Sequence, residues 1–123
     1  GTVACYHIEE IIAEKLRALL QTHQKLVARG WNRPMARDYY DLWCIFKKYS
    51  TIVNHEMLIE VLNKKCIYRD VSYQQVDDFF TPELIKEANR HWQAGLGALV
   101  RELPECKEVL DETRVFVKKV LYK

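Results

Sequence analysis

No stretch of this chain approaches the roughly 18 consecutive apolar residues that a membrane-spanning helix needs, so no membrane contact is expected. No two cysteines stand in C-x-x-C spacing. Cys5, Cys44, Cys66 and Cys106 are scattered along the chain, which argues against a zinc ribbon or a thioredoxin-type redox motif. Cys44 and Cys66 fall within apolar helical patterns and read as small buried hydrophobes. A reducing, cytoplasmic setting is the expectation. The histidines, His7, His23, His55 and His91, are isolated. None lies three or four residues from another, so no metal ligand is assigned. The chain has no GxxxxGK(S/T) loop, no GxGxxG, no GxSxG and no HExxH. Charge of one sign is lacking too. The net value is only +2, so no overall basic field points to nucleic acid. The pairs Lys47-Lys48, Lys64-Lys65 and Lys118-Lys119 read as solvated helix ends. No signal peptide is visible, and the first residue is Gly1, not Met.

What is present is helix. The 123 residues suffice for one domain with a real core, and 49% hydrophobic with 29% charged residues is ordinary for a globular chain. The sequence predicts a single all-α domain, a compact bundle of five or six helices. The first helix runs from about Ile8 to Arg29 and stops at Gly30. Its apolar stripe is Ile8, Ile11, Ile12, Leu16 and Leu19. Pro34 suits the first position of a second helix reaching Tyr49. Asn54 can cap a third helix carrying Met57, Leu58, Val61 and Leu62. Ser72-x-x-Gln75 fits a capping box for a short fourth helix ending near Phe80. Thr81-Pro82-Glu83 opens a fifth, with Leu84, Ala88, Trp92, Leu96 and Leu99 on one face. Gly95 and Gly97 within it suggest close helix approach or a kink. Leu103-Pro104 opens the last helix, whose buried side is Val109, Leu110, Thr113, Phe116, Val117, Val120 and Leu121. Thr2 to Tyr6 reads as a short β-like lead-in. Trp31, Trp43 and Trp92 read as core residues before base-stacking platforms.

Two charges break these stripes. At about 100° per residue, Lys15 projects between Ile11 and Leu19. In the second helix Asp38 falls between Leu42 and Ile45. A buried charge is costly unless it finds a partner, so Lys15 and Asp38 form either a structural pair or a polar site. Arg37 and Asp41 stand i,i+4 and can pair along the helix. That spacing accounts for Arg37 and Asp41 but not for Asp38.

The segment Glu9-Glu10-Ile11-Ile12-Ala13-Glu14-Lys15-Leu16-Arg17-Ala18-Leu19-Leu20, followed by Arg37-Asp38-Tyr39-Tyr40-Asp41-Leu42-Trp43, resembles the AbiEii-type nucleotidyltransferase toxin family. Its members carry an E-E-I-x-A-E-K-L-x-A-L helix and then an R-D-x-x-D-L helix. Trp92 to Leu96 and Leu103 to Val115 are similar to its helical C-terminal part. The resemblance implies the helical portion of a larger polymerase-β-like enzyme. Such enzymes transfer a nucleoside monophosphate from a nucleoside triphosphate to an acceptor. Related toxins modify tRNA ends, and the phage-defence members act with an antitoxin. Carried over by residue, Lys15 matches the functional lysine and Asp38 the catalytic aspartate, while Arg37 and Asp41 match the flanking, substrate-binding motif.

The family's metal-binding part, a Gly-Ser followed by an Asp-x-Asp strand pair, has no match here. Mg²⁺ and the nucleoside triphosphate are therefore expected of the full-length enzyme, with no cofactor held by this chain alone, and the chain by itself is expected to be inactive. Where many members place an Arg after the lysine helix, this chain has Gln21-Thr22-His23, and Arg29 and Arg33 are the candidates for that charge. Three readings stay open: a contribution of Lys15 and Asp38 to a nucleotide site, a helical module that grips RNA or an antitoxin, and a structural ion pair.

Overall fold

The computed structural model describes residues 7–122. The expected lead-in at Thr2 to Tyr6 lies outside the described residues. Five helices follow in order: α1 (Ile8–Arg29), α2 (Ala36–Tyr49), α3 (His55–Arg69), α4 (Pro82–Leu96) and α5 (Cys106–Leu121). Short 3-10 turns occupy Ser50–Ile52 and Val76–Phe79, and no strand occurs among the described residues. No helix there is long and apolar enough to cross a membrane.

The helix ends have local causes. Gly30 closes α1 at φ 80°, the left-handed region, and its N–H donates to the Leu26 carbonyl at 2.8 Å. The Asn54 side chain accepts from Met57 N–H at the start of α3. Thr81 caps α4 with Pro82 at its first position. Asp70 ends α3 at φ 56°, a conformation that Asp tolerates better than most side chains.

The 30–35 segment folds back along α1, with Asn32 Nδ2 donating to Thr22 Oγ1 at 3.0 Å, so that the start of α2 lies beside the middle of α1, where Asp38 meets Lys15. α1 and α3 run in the same direction. Glu9, near the start of α1, accepts from Asn54 N–H at 2.8 Å, and Gln24, near its end, donates to the Asp70 carbonyl at 3.1 Å. Glu9 is buried, and its bond to the first residue before α3 is a reason for that burial. α2 packs its other side on α4 and α5. Phe46 stacks on Phe116 at 5.5 Å, Tyr39 on Phe80 at 5.3 Å, and the buried Tyr39 hydroxyl donates to the Phe79 carbonyl at 2.6 Å. Leu16, Leu19, Leu42, Leu58, Leu62 and Leu84 are fully buried. Each such side chain contributes about 1.5–3 kcal/mol of transfer free energy.

Several expectations are corrected. α2 begins at Ala36, two residues after Pro34, with Met35 as its cap position. The capping box near residue 75 is made by Gln75 and Asp78, not by Ser72, and it opens a 3-10 turn. α4 stops at Leu96, so Leu99 lies beyond it and is 68% exposed. A Cβ at Gly95 would meet nothing within 4 Å, so no close helix approach requires that glycine. α5 begins at Cys106 rather than at Pro104. Cys44 is exposed. Trp31 is exposed as well, with the Arg29 guanidinium 3.8 Å from its ring centre, while Trp92 is buried and its indole donates to the Pro104 carbonyl at 2.9 Å.

Candidate functional site

Ile12, Leu16 and Leu19 turn the inner face of α1 fully into the core. Lys15 sits at the rim of that face, its stem against apolar neighbours and its ammonium reaching toward α2, as long amphipathic side chains do. Asp38 lies in the first turn of α2. Asp41, three residues on, shares its helix face. The return of the 30–35 segment along α1 brings all three together. Lys15 Nζ donates to Asp41 Oδ2 at 2.9 Å and to Asp38 Oδ1 at 3.3 Å. Their side chains are 27%, 28% and 24% exposed, respectively. Arg37 Nε lies 3.6 Å from the same Asp41 oxygen, with its own side chain largely in solvent. The four sequence-predicted residues therefore meet at one place. The bridging by Asp41 is what the sequence missed: its i,i+4 spacing from Arg37 already explained it, and the i,i+3 spacing from Asp38 was the available signal.

The electrostatics of the three groups differ. Burial pushes the Asp38 carboxyl above the usual range, and the Asp41 charge adds to this. The charge and hydrogen bond of Lys15, with Arg17 behind it, pull it back without offsetting the burial. For Lys15 burial works downward, but the Asp41 hydrogen bond and the charges of Asp38 and Asp41 outweigh it, and the ammonium titrates above the usual 10.5. Lys15 is thus a fixed cation, and Asp38 a carboxylate held with more proton affinity than its exposed counterparts. Near a protein surface two unit charges ~4 Å apart attract by about 4 kcal/mol. Desolvation costs a similar several kcal/mol per ion. The two nearly cancel, so stability alone is a weak reason for this cluster.

Beside it opens a cleft of about 510 Å³ between α1, the 30–35 turn and the start of α2. Arg17, Lys25, Arg33 and Arg37 line it, with Asp38 as its carboxylate. Arg17 was read in sequence only as part of a motif; its place beside Asp38 in the cleft lining is new. Of the two candidates for a further cation after the lysine helix, Arg33 lines this cleft, whereas Arg29 donates to the Trp31 carbonyl and to Asn32. A larger cleft, about 610 Å³, lies between the second half of α1 and the 70–81 segment, lined in part by His23, Val27 and Tyr73. It holds none of the four site residues.

A divalent cation is implied by the resemblance, and the donor set here does not fit one. Asp38 and Asp41 could bridge a cation, but the Lys15 ammonium already occupies the point between them. Among the described residues no group of three or more His, Cys, Asp or Glu is placed to hold a metal ion. No step through a metal is derived for these residues.

No curated protein and no solved structure matches the chain. One protein family does, over residues 2–115, under the description "Nucleotidyl transferase AbiEii toxin, Type IV TA system". That span includes the Lys15 helix, the Asp38 helix and all but the end of α5, and it is on this match across nearly the whole chain that we conclude that the protein belongs to the AbiEii family of nucleotidyl transferase toxins of type IV toxin–antitoxin systems.

Proposed function

We propose that α1 and α2 supply one side of a nucleoside-triphosphate site, with Lys15 and Asp38 serving nucleotide transfer to an RNA or other acceptor. The observation that carries this reading is the single ammonium held between two partly buried carboxylates, one of which, Asp38, also lines a cationic cleft. Lys15 would meet triphosphate oxygens and stabilise charge that develops on the transferred phosphoryl group. Asp38, with its raised proton affinity, would orient that ammonium or accept the proton of an acceptor hydroxyl. Asp41 would hold the Lys15 head in position, and Arg37 would offer a further phosphate contact.

Mg²⁺ would supply charge neutralisation of the triphosphate from a part of the protein other than these helices. On this reading the 123-residue chain by itself transfers no nucleotide. The antitoxin that the family's type IV description carries is a further partner, and a tRNA end is the acceptor we favour.

The test is transfer of labelled nucleoside monophosphate to total tRNA by the longer parent protein with Mg²⁺, comparing wild type with Lys15→Met and Asp38→Asn. Loss of labelling in both variants, with unchanged melting of Asp38→Asn, supports the proposal. Wild-type labelling in either one removes that residue from the chemistry.

A further inference from the structure

The cationic cleft beside Asp38 does not end at Arg17. The same Arg17 lines a second cleft, about 290 Å³, on the α3 side of α1, together with Lys64, Lys65, Tyr68 and Arg69. There Glu14 is the lining carboxylate. Each cleft is lined by four cations and one carboxylate, in a chain whose net charge is only +2, although Arg37, Lys64 and Lys65 also pair with Asp41, Glu60 and Glu10 beside the clefts. Glu14 pairs with Arg17 and Lys65, but Lys25, Arg33 and Arg69 make no ion pair among the described residues. The crowding is felt: burial and then the Arg69 charge push the Arg17 guanidinium down. Like charges held together cost free energy that an anionic ligand would relieve. Tyr68, one of the residues lining the second cleft, is 83% exposed, with the Arg69 guanidinium 5.5 Å from its ring centre. An open aromatic face flanked by cations is what an unpaired base over a phosphate backbone requires.

We infer that the two clefts form one track for single-stranded RNA, running from Tyr68 and Arg69 across Arg17 to Lys25, Arg33 and Arg37. Lys64 and Arg69 meet phosphates at one end, Tyr68 stacks a base, and the strand passes Arg17 to arrive beside Lys15 and Asp38. That arrival at the site rests on the proposed transferase role, whereas the binding itself does not. An acidic protein segment would satisfy the charges but would have no use for Tyr68.

The test is fluorescence anisotropy of a labelled single-stranded RNA of about twelve nucleotides with the 123-residue chain, over a range of salt. No nucleotide or transfer chemistry enters, so failure here is distinct from failure of the Lys15–Asp38 reading. Binding should weaken steeply as salt rises. Lys25→Glu with Arg69→Glu should lower affinity by at least about tenfold and flatten the salt slope. Tyr68→Ala should lower it at least about fivefold while leaving the slope unchanged. Lys118→Glu with Lys119→Glu, an equal charge change on exposed α5 positions, should do neither. Three results would overturn the inference: equal losses from the α5 pair, a silent Tyr68→Ala, or displacement of the RNA by polyglutamate as readily as by unlabelled RNA. The last would make the track a docking surface for an acidic partner.

Discussion

Lys15 with Asp41, and Lys107 with Asp111, are lysine–aspartate contacts of nearly the same length, 2.9 and 2.7 Å. Their surroundings differ. The first joins two helices, shares its ammonium with Asp38, and keeps about a quarter of each side chain in solvent. The second is an i,i+4 contact on α5, with 86% and 64% of its side chains exposed. Lys107 is also in the first turn of its helix, the end where the helix dipole disfavours a cation. In both, the carboxylate partner raises the lysine pKa. In water that shift carries little stability, because screening and side-chain entropy absorb it. At Lys15, burial makes each ion dependent on its partners, so removing one leaves the others without compensation. Contact length therefore says little about what a pair does.

The largest contrast lies in chemistry. On the proposed reading, in any transfer-active protein that carries this chain, Asp38→Asn and Lys15→Met should lower transfer by about 10²–10³-fold or more, while Lys107→Met should leave it at the wild-type rate. A radiolabel transfer assay reads both. Equal rates for Lys15→Met and Lys107→Met would erase the distinction. Stability gives the next contrast. Lys15→Met should destabilise the chain by about 1–2 kcal/mol, below the figure for fully buried pairs because the site is partly solvated. Urea unfolding of the 123-residue chain measures this, and Lys107→Met should shift nothing detectable.

A subtler contrast is in pH. Lys15 titrates above 10.5 in the folded chain, so its stabilising contribution is complete below that value and is lost as pH rises through the raised pKa. The stability gap between wild type and Lys15→Met should therefore be flat from neutral pH to about pH 10 and shrink above it. A gap that narrows near pH 7 instead would assign the coupling to another group. The smallest effect is expected at Arg37, whose side chain is mostly solvated. Arg37→Ala should change the melting temperature by no more than the surface ion-pair range, within about 0.5 kcal/mol.

The sequence made the inner faces legible because burial obeys helical periodicity. Leu58 and Leu62 of α3, Ala88 and Trp92 of α4, and Val109, Val117 and Leu121 of α5 all point inward as their spacing requires. It was less informative where packing decides which side of a stripe is covered. Ile11 is 39% exposed because α2 and α3 flank α1 and leave its outer strip open. Leu99 followed the α4 periodicity, but the helix had already ended at Leu96. At the site, Lys15 and Asp38 were legible as charges in apolar stripes and through the family resemblance. Asp41 as the nearer partner of Lys15 was not, since a surface pairing with Arg37 explained it equally well. Nor was the cationic track, because it assembles from α1, α2 and α3 residues whose neighbourhood only the fold creates.

On the proposed reading, Lys15, Asp38 and Asp41 are kept together for chemistry rather than for stability. The decisive test is the variant Lys15→Met/Asp38→Leu/Asp41→Leu in a transfer-active protein that carries this chain, with melting and transfer determined on the same sample. Replacing all three removes every ion of the cluster at once, so no charge is left uncompensated and apolar side chains fill the space. We expect a folded protein at least as stable as wild type and without transfer activity. Wild-type transfer in that variant would contradict that reading.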